Sequence, residues 1–92
     1  MLNIGTIHFT PHAYELVQRA PFEVAHAIAR HKRGDWGDVD DDDKAANDYA
    51  VCAANGGGML SVYYIDGIKI YIDTVGYGTD EVYTVVMLPE EY

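Results

Sequence analysis

The chain has 92 residues, 15 acidic against 6 basic, a formal net charge of −9, a single cysteine and 49% hydrophobic residues. That is one domain's worth of chain, residues 1–92 around one interior, with the apolar share of a folded protein rather than a disordered one. The acidity argues against direct nucleic-acid binding, the lack of any apolar run near ~20 residues argues against a membrane span, and no leader is legible at Met1, so a cytoplasmic protein is expected.

The charge is uneven. Residues 1–34 carry Arg19, Arg30, Lys32 and Arg33 against Glu15 and Glu23, whereas residues 35–92 carry every other acid against Lys44 and Lys69 alone. A basic protein surface is the natural partner for such a second half.

In chain order, residues 2–9, with Ile4 and Ile7, read as a short strand that Gly5 weakens. Thr10 before Pro11 has the pattern of an N-cap followed by proline at the first helical position, and Ala13, Leu16 and Val17 share a face, which predicts a helix over 11–19. Pro21 ends that helix and starts another, because proline lacks the N–H and clashes with the preceding turn. In this second helix Phe22, Ala25, Ile28 and Ala29 give the buried stripe, Arg30 to Arg33 complement the carboxyl-end dipole, and Gly34 supplies the cap.

After the turn Asp35-Trp36-Gly37-Asp38, a third helix is predicted over 41–54. Asp40 is its N-cap, Asp41, Asp42 and Asp43 favour its first turn, and Ala46, Tyr49, Ala50 and Ala53 form its apolar stripe. Cys52, among Val51, Ala53 and Ala54, reads as a small buried side chain. Asn55 and three glycines then stop the helix.

The remainder reads as β. Residues 59–65 and 68–73 are rich in β-branched and aromatic side chains, and Asp66-Gly67 between them signals a two-residue hairpin. That turn pairs Ile65 with Ile68, Tyr63 with Ile70 and Ser61 with Ile72 on a face that packs on the helices. The opposite face, with Leu60, Val62, Tyr64, Lys69 and Tyr71, is too apolar and aromatic for an ordinary wet surface. A turn at 76–80 leads to a last strand over 81–88. The predicted fold is therefore α+β, three N-terminal helices packed on a C-terminal antiparallel sheet of three or four strands.

Catalytic, metal and cofactor patterns fail one by one, so no catalytic residue, metal site or cofactor is expected. Counted from Asp38, the sixth and twelfth positions of a calcium loop hold Asp43 and Tyr49 rather than glycine and glutamate. His8, His12, His26 and His31 lack the cysteine pairs or His-Glu-x-x-His spacing of zinc sites and read as exposed or capping residues. Ser61 lies within a strand with no glycine-flanked elbow, and Gly56 to Gly58 follow a helix instead of opening one. Trp36, between Gly34-Asp35 and Gly37-Asp38, reads as an anchor docked inward, with an exposed hot spot as the competing role.

The stretch His31-Lys32-Arg33-Gly34-Asp35-Trp36-Gly37-Asp38, continued by Asp43-Lys44-Ala45-Ala46-Asn47, Leu60-Ser61-Val62-Tyr63 and Leu88-Pro89-Glu90-Glu91-Tyr92, resembles a family of small bacterial proteins carried on plasmids and integrative elements. The chain departs from that pattern in its Gly76-Tyr77-Gly78 turn and its plain Tyr83-Thr84-Val85 strand. The resemblance implies two classes of function, and small size, acidity and the missing chemistry favour the first, a non-enzymatic inhibitor of the anti-CRISPR or antirestriction type, a DNA mimic whose acidic surface fills a basic nucleic-acid-binding site on a host defence complex. The residues expected to bind that partner are Asp35, Trp36, Asp38, Asp40, Asp41, Asp42, Asp43, Tyr64, Tyr71, Glu90 and Glu91. A second class is an accessory protein of the element, acting as a homodimer through its last strand. A small metal-dependent hydrolase or nuclease using His31, Asp35 and Asp38 ranks last.

Overall fold

The computed structural model describes all of residues 1–92. Helices α1 (Pro11–Arg19) and α2 (Pro21–Lys32) meet at Ala20, and α3 (Asp41–Ala53) starts where the Asp40 carboxylate accepts the Asp43 N–H at 2.8 Å. Strands β2 (Met59–Ile65) and β3 (Ile68–Val75) form the expected hairpin in the expected register, with Asp66 and Gly67 at φ 51° and 75°. Those two positive angles belong to the turn whose twist matches the flanking strands. β4 (Tyr83–Met87) is shorter than predicted, and a 3-10 turn, Pro89–Glu91, closes the chain. No helix is long and apolar enough to cross a membrane.

The predicted C-terminal antiparallel sheet is overturned. Residues Thr6–Phe9 form β1, which lies parallel to β4, so the sheet is mixed, has the order β1-β4-β3-β2, and begins before the first helix. A parallel pair is joined by a long crossover and leaves no local turn signal, unlike the hairpin. Gly5 marks the entry to the strand: at φ +68°, a Cβ there would stand 2.1 Å from the Val82 carbonyl oxygen. β4 is consequently interior, paired on both sides, and offers no free edge to a second copy.

Alternation sorts the sheet into two faces. Tyr63, Ile65, Ile70, Ile72 and Val86 pack on Ala13, Leu16, Ala20, Val24 and Ala27 of the first two helices. A second, smaller cluster joins Trp36, Ala50 and Met59.

Two helices present a different face from the one predicted. In α2 the buried residues are Val24, Ala27 and His31, while Phe22 stands 83% exposed; in α3 they are Asn47 and Ala50, with Tyr49 72% exposed. The i, i+3, i+7 spacing holds in α2, but it runs through a histidine. Leaving His31 and Asn47 out of the buried stripes rotates each stripe onto the wrong aromatic residue. The same rotation leaves Cys52 exposed rather than buried.

Candidate functional site

The glycine-tryptophan segment after α2 is built as a cover for the sheet edge. Leu60, Val62 and Tyr64 turn their backbone groups outward from β2, and the first two are satisfied by neighbours. The Asn47 amide donates to the Leu60 carbonyl at 2.9 Å and accepts its N–H at 3.1 Å. Val62 N–H donates to the Trp36 carbonyl, and Asp38 N–H donates to the Val62 carbonyl, so residues 36–38 imitate a short parallel strand. Gly37 makes the approach possible, since at φ +74° its Cβ would fall 2.1 Å from the Val62 oxygen. Edge strands need such cover to avoid unwanted pairing.

Behind this cover lies a closed polar seam. Thr84 donates to the Ile4 carbonyl at 2.7 Å, so its oxygen must accept from Thr74, 2.7 Å away. Thr74 in turn accepts from His31 Nε2 at 2.8 Å, which leaves His31 Nδ1 to accept the Ser61 hydroxyl. The chain of donors therefore specifies the Nε2–H tautomer of a neutral ring. Burial alone pushes the His31 pKa down to about 4. Trp36 lies edge-on to that ring, 5.5 Å between centroids, and its indole N–H donates to Asp48.

Several residues expected at the partner surface are used internally. Trp36 is 3% exposed and presents no surface to a partner. Asp35 accepts two hydrogen bonds from the Arg30 guanidinium, at 2.7 and 3.2 Å, and another from Gly37 N–H; the Arg30 bond, foremost, holds its carboxyl below the usual range. Glu91 accepts from Thr10, Leu88 N–H and His12 N–H, so a C-terminal carboxylate serves the start of α1 where Thr10 itself makes no side-chain cap. Desolvation opposes ionisation of Glu91, but those bonds and nearby His12 outweigh it and lower its pKa. Nor does the hydrolase reading find its residues together. His31 is enclosed with both ring nitrogens engaged, and the Ser61 hydroxyl beside it is equally buried.

Asp35 stays exposed despite its hydrogen bonds, and exposed with it are Asp38, Asp40, Asp41, Asp42, Asp43, Tyr64 and Glu90. Of the protein's 15 acids only Asp35 and Glu91 have a basic group within 4.0 Å. Asp40 spends its carboxylate on the helix cap; Asp38, Asp41, Asp42 and Asp43 make no side-chain hydrogen bond or ion pair.

Asp38, Asp40 and Asp43 rim a groove of about 320 Å³ whose floor is Leu60, Val62 and Tyr71. This floor belongs to the sheet face turned away from the core, where Tyr71 is half-buried and Tyr64 and Tyr83 are exposed. Tyr92 meets Tyr71 edge-on at 5.5 Å, and Lys69 Nζ sits 5.8 Å from the same ring.

Asp73, which belongs to no motif in the sequence, shares this open face. Asp73 follows Tyr71 by two on β3, a period-2 signal that places it on the open face. No family model, curated protein or solved structure matches the chain.

Proposed function

We propose that this is a non-enzymatic binding protein whose acidic helix start occupies a basic, nucleic-acid-binding surface on a host defence complex, of the anti-CRISPR or antirestriction type. The observation that carries the reading is the state of Asp38, Asp41, Asp42 and Asp43: four carboxylates in six residues, exposed, with no basic partner. One N-cap and one or two first-turn acids already complement the helix dipole, so the surplus like charge strains the free protein and is relieved by a cationic surface. The mobile-element resemblance supplies the class of partner, and such a partner places the protein in the cytoplasm.

The test is inhibition of purified CRISPR effector nucleases and restriction enzymes by the wild-type chain and by Asp41→Asn/Asp42→Asn/Asp43→Asn. The expected result is inhibition that fades steeply with salt, because exposed charges are screened over about 8 Å at physiological ionic strength. It should also weaken by about tenfold or more in the triple variant. Salt-independent inhibition that survives the triple substitution overturns the acidic reading.

A further inference from the structure

The open sheet face carries one charge that the fold does not use. Asp73 lies on β3 directly opposite Leu60 on one side and Val85 on the other, with Tyr71 and Val75 its same-face neighbours along the strand. It is half-buried, makes no side-chain hydrogen bond and has no basic group within 4.0 Å. Lys69, a cation on the same face, lies over the Tyr71 ring and not on a carboxylate. Burial raises the Asp73 pKa, as expected of a carboxylate surrounded by apolar neighbours.

We propose that the open face is the docking surface for an arginine-bearing segment of a protein partner, with one guanidinium on Asp73, its stem along Leu60 and Tyr71, and further cations at the Asp38, Asp40 and Asp43 rim. The inference rests on the reading of the acids as a binding surface and names the partner's chemistry. Charge complementarity selects the occupant: a half-buried carboxylate beside a tyrosine ring matches a group that is cationic, planar and weakly hydrated. Arginine is that group, since it pairs with carboxylates in a two-pronged fork and stacks on aromatic rings, whereas lysine is a strongly hydrated point charge. Leu60 joins the two halves of the surface, being both the floor of the acid-rimmed groove and the cross-strand neighbour of Asp73.

The experiment is an amide-resolved NMR titration of the full chain with acetylated hexa-arginine amide, with hexa-lysine and hexa-glutamate as comparison peptides. Hexa-arginine should shift Leu60, Tyr71, Asp73 and Val85 along with residues 38–43, and bind more tightly than hexa-lysine. Asp73→Asn, checked for an unchanged amide spectrum elsewhere, should weaken hexa-arginine binding by about tenfold, as loss of one charge-assisted pair implies.

Shifts confined to residues 38–43 and indifferent to Asp73→Asn overturn this inference while leaving the acidic surface standing. No shift with either cationic peptide overturns both. Concentration-dependent shifts of the face without peptide, with a sedimenting dimer that Tyr71→Glu abolishes, assign the face to a second copy and overturn the arginine proposal.

Discussion

The two faces of the sheet treat polar groups in opposite ways. On the helix-covered face, His31, Ser61, Thr74 and Thr84 form a chain in which each donor has its acceptor, ending on the Ile4 carbonyl. On the open face and its rim, Asp73, Asp38, Asp41 and Asp42 have no side-chain partner at all. A buried polar group is tolerated only when it is satisfied, and a half-exposed charge without a partner is free to take one from outside. Polarity alone does not separate scaffold from site; the state of the hydrogen bonds does.

The strongest challenge to that contrast is His31→Ala. It leaves the Ser61 hydroxyl without its acceptor, takes a donor from Thr74 and opens a cavity, so urea denaturation should show a loss of about 3–5 kcal/mol. A loss below about 1 kcal/mol means the seam relaxes easily and does not specify the core.

Acid probes the same ring without a mutation. The folded pKa of about 4 lies below the free value of 6.5, so between those values the unfolded state binds more protons and stability rises with pH. The contribution is complete above pH 6.5 and is lost on descent toward pH 4, about 3 kcal/mol in order of magnitude. His31→Gln should flatten that slope. Asp73 acts in the opposite sense, because its raised pKa favours the folded state as acid is added, so Asp73→Asn should steepen it. Chemical denaturation across this pH range reads both.

Gly37→Ala tests whether the edge cover is structural. A left-handed alanine whose Cβ collides with the Val62 carbonyl should cost about 2–4 kcal/mol, measured as a fall in thermal stability. The smallest effect belongs to the acids themselves. Asp41→Asn/Asp42→Asn should leave stability within about 0.5 kcal/mol of wild type in the same assay, since neither carboxylate holds anything in the fold. A large loss there would move these residues from the surface to the scaffold.

Sequence by itself determined the features whose causes are local. Pro11 and Pro21 start helices, Asp40 caps one, and Asp66-Gly67 sets a hairpin whose register follows residue by residue. The acidic run and the aromatic open face were legible for the same reason, because charge and period-2 alternation are written in neighbouring residues. Tertiary structure alone decided what depends on distant partners. β1 joins β4 across more than 70 residues, Glu91 serves a helix at the other end of the chain, and His31 and Asn47 enter the core because Ser61, Thr74 and the Leu60 backbone are there to meet them. A polar side chain carries no mark in sequence of the partner that will satisfy it, so the stripes through His31 and Asn47, and with them the internal hydrogen bonds of Asp35 and Glu91, emerged only when the chain had folded.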